Sequence, residues 1–306
     1  EHYGMYDIDA DTLSAYRNRF RVFNEDHIWN SIDNRQFLKN LGGYVVDREN
    51  GKEGLTLAGL LMFGKGTSIC ERFGNFRMDY IDLTNLLPDS RWSDRLTYDG
   101  RWENNLYNFY TRVQAKLTAD IRRPFRMEGM ARIDDTPVHK AVREALTNSI
   151  IHSDYFVTGG VLRIEKRNNG LFFSNPGSLM ISVEDMFAGG KSRARNPRIQ
   201  TMMRMVGMGE NLGSGFPTIV KAWEDEHWKT PVVEELFQQQ IVNLTLELDC
   251  EYFGETIQKT IQKTIQKTIQ KTIQKTTAFQ NDIARYLSDN PYATQQELVA
   301  NIPNAT

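Results

Sequence analysis

Three polar residues between positions 138 and 152 have types and spacing that could support chemistry. Glu144, Asn148 and His152 lie four residues apart, so on a helix they stack along one face. A carboxylate can act as a general base on a water molecule. An amide oxygen one turn further can hold a Mg²⁺ ion that bridges nucleotide phosphates. A solvated helix surface would show the same spacing, and this segment alone favours neither interpretation.

The elements that must position these residues predict an α+β fold. Thr136 and Pro137 are the residue types preferred at the start of a helix, which then continues to His152. Alternating apolar and polar residues predict strands, and apolar residues at helical spacing predict helices. The predicted strands are residues 76–83, 127–133, 161–165, 171–173 and 241–248, and the predicted helices include 103–121, 197–205 and 216–223. This order indicates helices on one face of a mixed sheet.

The beginning of the chain has a different pattern. Two helical stretches, a short hairpin with its turn at Asn50-Gly51 and a helix capped by Thr56 follow one another. Helix, helix, hairpin, helix predicts a small winged-helix-like region.

Residues 59–66 nearly spell a Walker A phosphate-binding loop. Gly66 stands at the position that requires Ser or Thr, and the four residues from Leu60 to Phe63 are apolar and typical of a helix. We therefore predict no phosphate-binding loop and no helicase motor in this segment.

Five short motifs follow one another along the rest of the chain. They are Arg-Glu-Ala-Leu-Thr-Asn at 143–148, His-Ser-Asp-Tyr at 152–155, Ser-Asn-Pro-Gly at 174–177, Arg-Asn-Pro at 195–197 and Gly-Ser-Gly at 213–215. In type and order they resemble the RecG-related transcriptional regulators. Those proteins pair a Schlafen-type AlbA ("divergent AAA") domain with a GHKL-like ATP-binding domain and a C-terminal winged helix. The resemblance covers roughly residues 55–250 and implies a GHKL-like α/β sandwich.

The resemblance implies ATP and Mg²⁺ as cofactors. By it, Glu144 is the water-activating base and Asn148 the Mg²⁺ ligand, and His152 belongs to the nucleotide site. Asn175 and Gly177 stand where GHKL proteins carry Asp-x-Gly, whose Asp accepts a hydrogen bond from the adenine amino group. An amide does this only through one oriented oxygen, so this departure puts base recognition in question.

Two further elements of the nucleotide site are implied by the same resemblance. Lys191 lies in the segment that corresponds to a mobile lid, where its ammonium group can reach the phosphates. Gly213 and Gly215 precede a helix, and backbone N–H groups at a helix N-terminus suit phosphate binding.

The C-terminal part begins with Thr-Ile-Gln-Lys repeated five times, from Thr256 to Lys275. A period of four drifts about 40° per repeat on a helix, so a low-complexity spacer is favoured over a self-associating helix. Thr294 and Glu297 then form a capping box that predicts a helix. With the preceding helix it is typical of a helix-turn-helix cut before its recognition helix, or of a generic helical hairpin.

These patterns divide the chain into four predicted parts. They are a small winged-helix-like region at 1–70, a GHKL-like ATP-binding domain at 71–252, a repeat linker at 253–277 and a truncated winged helix at 278–306. The chain begins at Glu1 rather than Met, so we expect it to be a fragment of a longer protein.

Composition limits the location and the partners. The net charge of −2 does not favour nucleic-acid binding by the whole surface, and no apolar run approaches the roughly 20 residues that cross a bilayer. Two cysteines far apart suit a reducing compartment, so we expect a cytoplasmic protein.

Two functional hypotheses remain. The leading one is an ATP-binding regulatory module of a bacterial transcriptional regulator, with slow or no hydrolysis, DNA contact through flanking domains and homo-oligomerisation. The alternative is a degenerate GHKL-like scaffold that serves as a dimerisation module without nucleotide.

Overall fold

The structure is a computed structural model that describes residues 3–121, 127–128, 131–132, 135–209, 215–248 and 281–291. The chain forms two compact units, Glu1–Phe253 and Gly254–Thr306. In the second unit, residues 281–289 are helical. The Thr-Ile-Gln-Lys repeats and the predicted capping box at Thr294 lie outside the described residues. None of the described helices is long and apolar enough to cross a membrane.

The N-terminal region of the first unit contains the predicted order of helix, helix, hairpin and helix. Its elements are α1 (Ala10–Phe23), α2 (Asn34–Leu41), β1 (Tyr44–Val46), β2 (Glu53–Leu55), α3 (Leu57–Phe63) and α4 (Gly66–Arg72). Side chains cap the first three helices: Asp9, Asp33 and Thr56 each accept a hydrogen bond from a backbone N–H three residues further on.

The near-Walker stretch lies inside this region as a helix. Residues 60–63 are buried in the hydrophobic core, and Gly64 caps α3 in an extended conformation. A phosphate cradle needs exposed backbone N–H groups, which a buried helix does not provide. The prediction that no phosphate-binding loop occurs here therefore agrees with the structure.

A six-stranded sheet follows, in the order β4-β3-β7-β8-β10-β9. Its strands are β3 (Met78–Asp82), β4 (Asp94–Thr97), β7 (Leu162–Arg167), β8 (Gly170–Pro176), β9 (Val232–Leu236) and β10 (Ile241–Glu247). Strands β3 and β7 pair in parallel, and the other neighbours pair antiparallel. The sheet is therefore mixed, and the predicted α+β class is confirmed.

Helices cover one face of this sheet. They include α5 (Leu106–Thr118), α6 (Pro137–His152), α7 (Val183–Ala188), α8 (Pro197–Arg204) and α9 (Gly215–Asp225). On the covered face, Leu171 and Phe173 of β8 lie opposite Leu246 and Leu244 of β10, and α6 packs on β8 and against α9. The same alternation brings Asn175 to this face, opposite Val242.

The structure differs from the predicted elements in several places. Residues 127–133 were predicted as one strand, but they contain the two-residue strands β5 (Met127–Glu128) and β6 (Ala131–Arg132), which pair with each other. The edge strands β4 and β9 and the short helix α7 were not predicted. Edge strands are half solvated, so their residues lack a clear apolar alternation.

Candidate functional site

Helix α6 brings the polar file, which is the row formed by Glu144, Asn148 and His152, into the interior of the fold. Thr136 caps its first turn through the N–H of His139 at 3.3 Å, and Pro137 follows at the first helical position. Glu144, Asn148 and His152 all line one cavity of about 130 Å³. The interpretation of this file as a solvated helix surface is therefore wrong, because Glu144 is only 7% exposed.

Glu144 and Asn148 are paired directly. The Asn148 Nδ2 group donates a hydrogen bond to Glu144 Oε1 at 3.2 Å. The Asn148 carbonyl oxygen therefore points away from the carboxylate, where it can act as an acceptor or a metal ligand. A carboxylate and an amide oxygen are hard oxygen ligands of the kind that Mg²⁺ prefers.

Gly215 allows this carboxylate to reach the start of α9. A Cβ atom at position 215 would overlap Glu144 Oε1 and would lie 2.9 Å from Glu144 Cδ. A larger residue would therefore displace the carboxylate from the N-terminal end of α9. Gly213, the other glycine predicted to contact phosphate, lies outside the described residues.

His152 and Asn175 also line the cavity, and the chain after each of them is joined where the Asp154 N–H donates to the Pro176 carbonyl oxygen at 2.8 Å. Burial and then the positive charge of Arg195 lower the pKa of His152 to about 4, so its imidazole is neutral at pH 7. Asn175 is 8% exposed, and its amide forms no side-chain hydrogen bond within the part of the chain that the structure describes. Both side chains line the cavity.

The segment between β8 and α8, which includes α7, forms part of the cavity lining. Lys191 lines the cavity, and its Nζ also contacts Asp185 Oδ1 at 2.7 Å. Gly177 does not line the cavity. It adopts φ +116°, and a Cβ atom there would meet Asp154 Cβ at 3.0 Å and the Arg195 guanidinium at 3.4 Å.

Arg195 forms hydrogen bonds with both the end of α6 and the first residues after β8. Its Nε donates to the His152 carbonyl oxygen at 3.2 Å, and its Nη2 donates to the Ser178 carbonyl oxygen at 2.9 Å. Its Nη1 also contacts Asp154 Oδ2 at 3.3 Å. This arginine therefore holds the first residues after β8 beside His152.

Several residues that line the cavity were not predicted from the sequence. They include Ser178, Gln200, Arg204 and Phe216. Gln200 and Arg204 are one turn apart on α8, beside the buried face formed by Ile199 and Met203. Helical spacing places them on a common side, but only the packing of α8 shows that this side meets the cavity.

The low pKa of His152 predicts a pH dependence of stability. Between pH 6.5 and 4 the unfolded chain takes up a proton at this imidazole and the folded protein does not. The full stability is therefore present above pH 6.5, and the free energy of unfolding falls as the pH is lowered toward 4. After allowance for partial solvent exposure, we expect a loss of about 2 kcal/mol.

Chemical denaturation at pH 7 and pH 4.5 tests this expectation. His152→Asn should remove about 2 kcal/mol of the difference between the two pH values, whereas the exposed His227→Asn should leave it unchanged. Equal pH dependence in both variants would contradict a buried, neutral His152.

Two stretches of the chain match known protein families. Residues 159–246 match the family described as "Putative ATP-dependent DNA helicase recG C-terminal", and residues 1–79 match a domain of unknown function (DUF8451). Residues 159–246 are therefore part of a RecG-related, ATPase-like domain. Asn175, Lys191 and Gly215 lie within that match, whereas the file on α6 precedes it.

The fold is also similar to a solved structure, that of the DIP2311 protein from Corynebacterium diphtheriae. The TM-score is 0.59 with 18% sequence identity, over 81% of this chain and 46% of that protein. The chain thus spans less than half the length of that protein, and the likeness concerns the fold. No curated protein matches the chain.

Proposed function

We propose that the cavity binds a nucleoside triphosphate with Mg²⁺, and that ATP is its ligand. The observation that carries this proposal is the Glu144–Asn148 pair, which faces a cavity in an ATPase-like domain. Asn148 would hold Mg²⁺ through its amide oxygen, and the ion would supply positive charge that offsets the charge of the phosphates. Few protein ligands are needed, because Mg²⁺ usually keeps several waters and substrate oxygens.

The dimensions of the site support this assignment. Glu144 and His152 are eight residues apart on α6, which separates their Cα atoms by about 12 Å. The triphosphate would lie at the end with Glu144, Asn148 and the start of α9. The base would lie at the end with His152 and Asn175, where the uncharged side chains can form hydrogen bonds with it.

We propose that the output of the site is regulatory, with slow or no hydrolysis. The cavity of about 130 Å³ is smaller than the roughly 300–1,000 Å³ of typical ligand pockets. In this proposal the segment between β8 and α8 moves to admit a nucleotide, and such movements often limit turnover. In this proposal the domain belongs to a bacterial transcriptional regulator that forms homo-oligomers and contacts DNA through flanking domains.

Thermal denaturation with and without Mg²⁺-ATP tests the nucleotide site. A ligand that binds only the folded state at 100 times its Kd adds about 2.7 kcal/mol to the free energy of unfolding. We expect this gain in the wild type and in Asn40→Ala, which changes an exposed asparagine of α2, and its loss in Asn148→Ala. No gain at millimolar ATP, or an equal gain in Asn148→Ala, would contradict the proposal and leave the degenerate scaffold.

A further inference from the structure

Asn175 is a buried polar side chain that faces the cavity. It lies on β8 opposite Val242, on the sheet face that α6 covers, and it is 8% exposed. Within the described residues no hydrogen bond of its amide is found, so both its oxygen and its N–H₂ group are available to a ligand. The amide lines the cavity, where it can form hydrogen bonds with a ligand that carries matching groups.

The described cavity lining carries little negative charge. Among the described residues that line the cavity, Glu144 is the only carboxylate, and it lies two helical turns from His152. Asp154 is nearby but contacts the Arg195 guanidinium. His152 is neutral and offers one N–H donor and one acceptor nitrogen.

An amide and a carboxylate read purine bases differently. Adenine presents a 6-amino donor where guanine presents a 6-oxo acceptor. A carboxylate only accepts, so it pairs with the amino group and opposes the oxo group. An amide carries an acceptor and a donor, and a half-turn about its χ2 angle exchanges them at little cost.

We propose that Asn175, assisted by His152, makes the base end of this site tolerant of both 6-amino and 6-oxo purines. The site then binds ATP and GTP with comparable affinity, so that Asn175 sets a relaxed base specificity. This inference rests on the proposed nucleotide site and specifies the class of ligand that it takes.

Calorimetric titration with Mg²⁺-ATP, Mg²⁺-GTP and Mg²⁺-ITP tests the inference. In the wild type we expect the three Kd values to agree within about threefold. ITP carries the 6-oxo group without the 2-amino group of guanine, so its comparison with ATP isolates position 6. In Asn175→Asp, measured at pH 8 to ionise the new carboxylate, we expect ATP to bind at least tenfold more tightly than GTP or ITP.

Asn243→Asp is the matched control. Asn243 lies on β10 next to Val242 but points to the opposite face of the sheet, so the same substitution there should leave the ratio of Kd values unchanged. If the Asn175→Asp protein does not fold, the ratio of the wild-type Kd values for ATP, GTP and ITP still tests the inference.

Three results would overturn the inference. A wild type that prefers ATP over both GTP and ITP by more than tenfold would show that the base end discriminates after all. A folded Asn175→Asp protein with an unchanged ratio would show that Asn175 does not read position 6. Either result can accompany ATP binding that depends on Asn148, which leaves the proposed nucleotide site intact. Failure of the wild type to bind any of the three nucleotides would overturn both proposals.

Discussion

Replacing Gly59 with alanine is expected to destabilise the first unit by about 3 kcal/mol. A Cβ atom at this position would overlap the Gly43 carbonyl oxygen and would lie 2.8 Å from its carbonyl carbon. The same oxygen accepts the Thr56 N–H at 2.9 Å, so it cannot move without breaking the start of α3. Alanine favours a helix by about 1 kcal/mol over glycine, which is too little to offset a clash with the backbone.

Thermal denaturation checks this prediction, and Gly74→Ala is the matched control. No atom lies within 4 Å of a Cβ at position 74, and its φ is not in the left-handed region. We expect a melting temperature lower by roughly 10 °C for Gly59→Ala and nearly unchanged for Gly74→Ala. If the two variants melted together, α3 would not pack against Gly43 as described, and the near-Walker stretch would again be open to a phosphate-binding role.

If the site hydrolyses ATP slowly, replacing Glu144 with glutamine is expected to reduce that rate at least 100-fold while nucleotide binding is retained. A positioned general base typically contributes 10²–10⁴-fold, and an amide cannot accept the proton of the attacking water. Glutamine has nearly the same shape, and its oxygen can still accept the hydrogen bond from Asn148 Nδ2. Binding groups remain in place, so the effect should fall on turnover and spare the stabilisation by nucleotide.

Single-turnover phosphate release and denaturation with Mg²⁺-ATP separate these two effects. Glu184→Gln changes an exposed carboxylate in the first turn of α7 and should behave like the wild type in both measurements. Phosphate release by Glu144→Gln at the wild-type rate would exclude Glu144 as the base. Loss of nucleotide-dependent stabilisation in the same variant would instead give the carboxylate a role in binding.

The local parts of the site were predictable because they depend on spacing alone. The four-residue interval sets Glu144, Asn148 and His152 on one helix face, and Thr136 with Pro137 determines where that helix begins. The strand predicted at 171–173 ended before Asn175, and only the longer β8 of the structure sets Asn175 on the face of Phe173. The same reasoning identified the apolar stretch after Gly59 as helix rather than loop.

Other features of the site depend on segments that are far apart in the chain. Gly215 is opposite Glu144, and Arg195 holds the His152 carbonyl across 43 residues of sequence. Gln200 and Arg204 likewise reach the cavity from α8, which is distant in sequence from α6. No periodicity encodes such distances, because they follow from how the helices pack on the sheet.

The sequence by itself therefore determined the α+β class, the helix that carries Glu144 and Asn148, and the face of that helix on which both lie. Only the tertiary structure decided that the polar file of α6 is buried in a cavity and that His152 is neutral. The physical reason is that covalent spacing and backbone period fix the direction of a side chain. Burial, hydrogen-bond partners and pKa arise only when distant segments pack together.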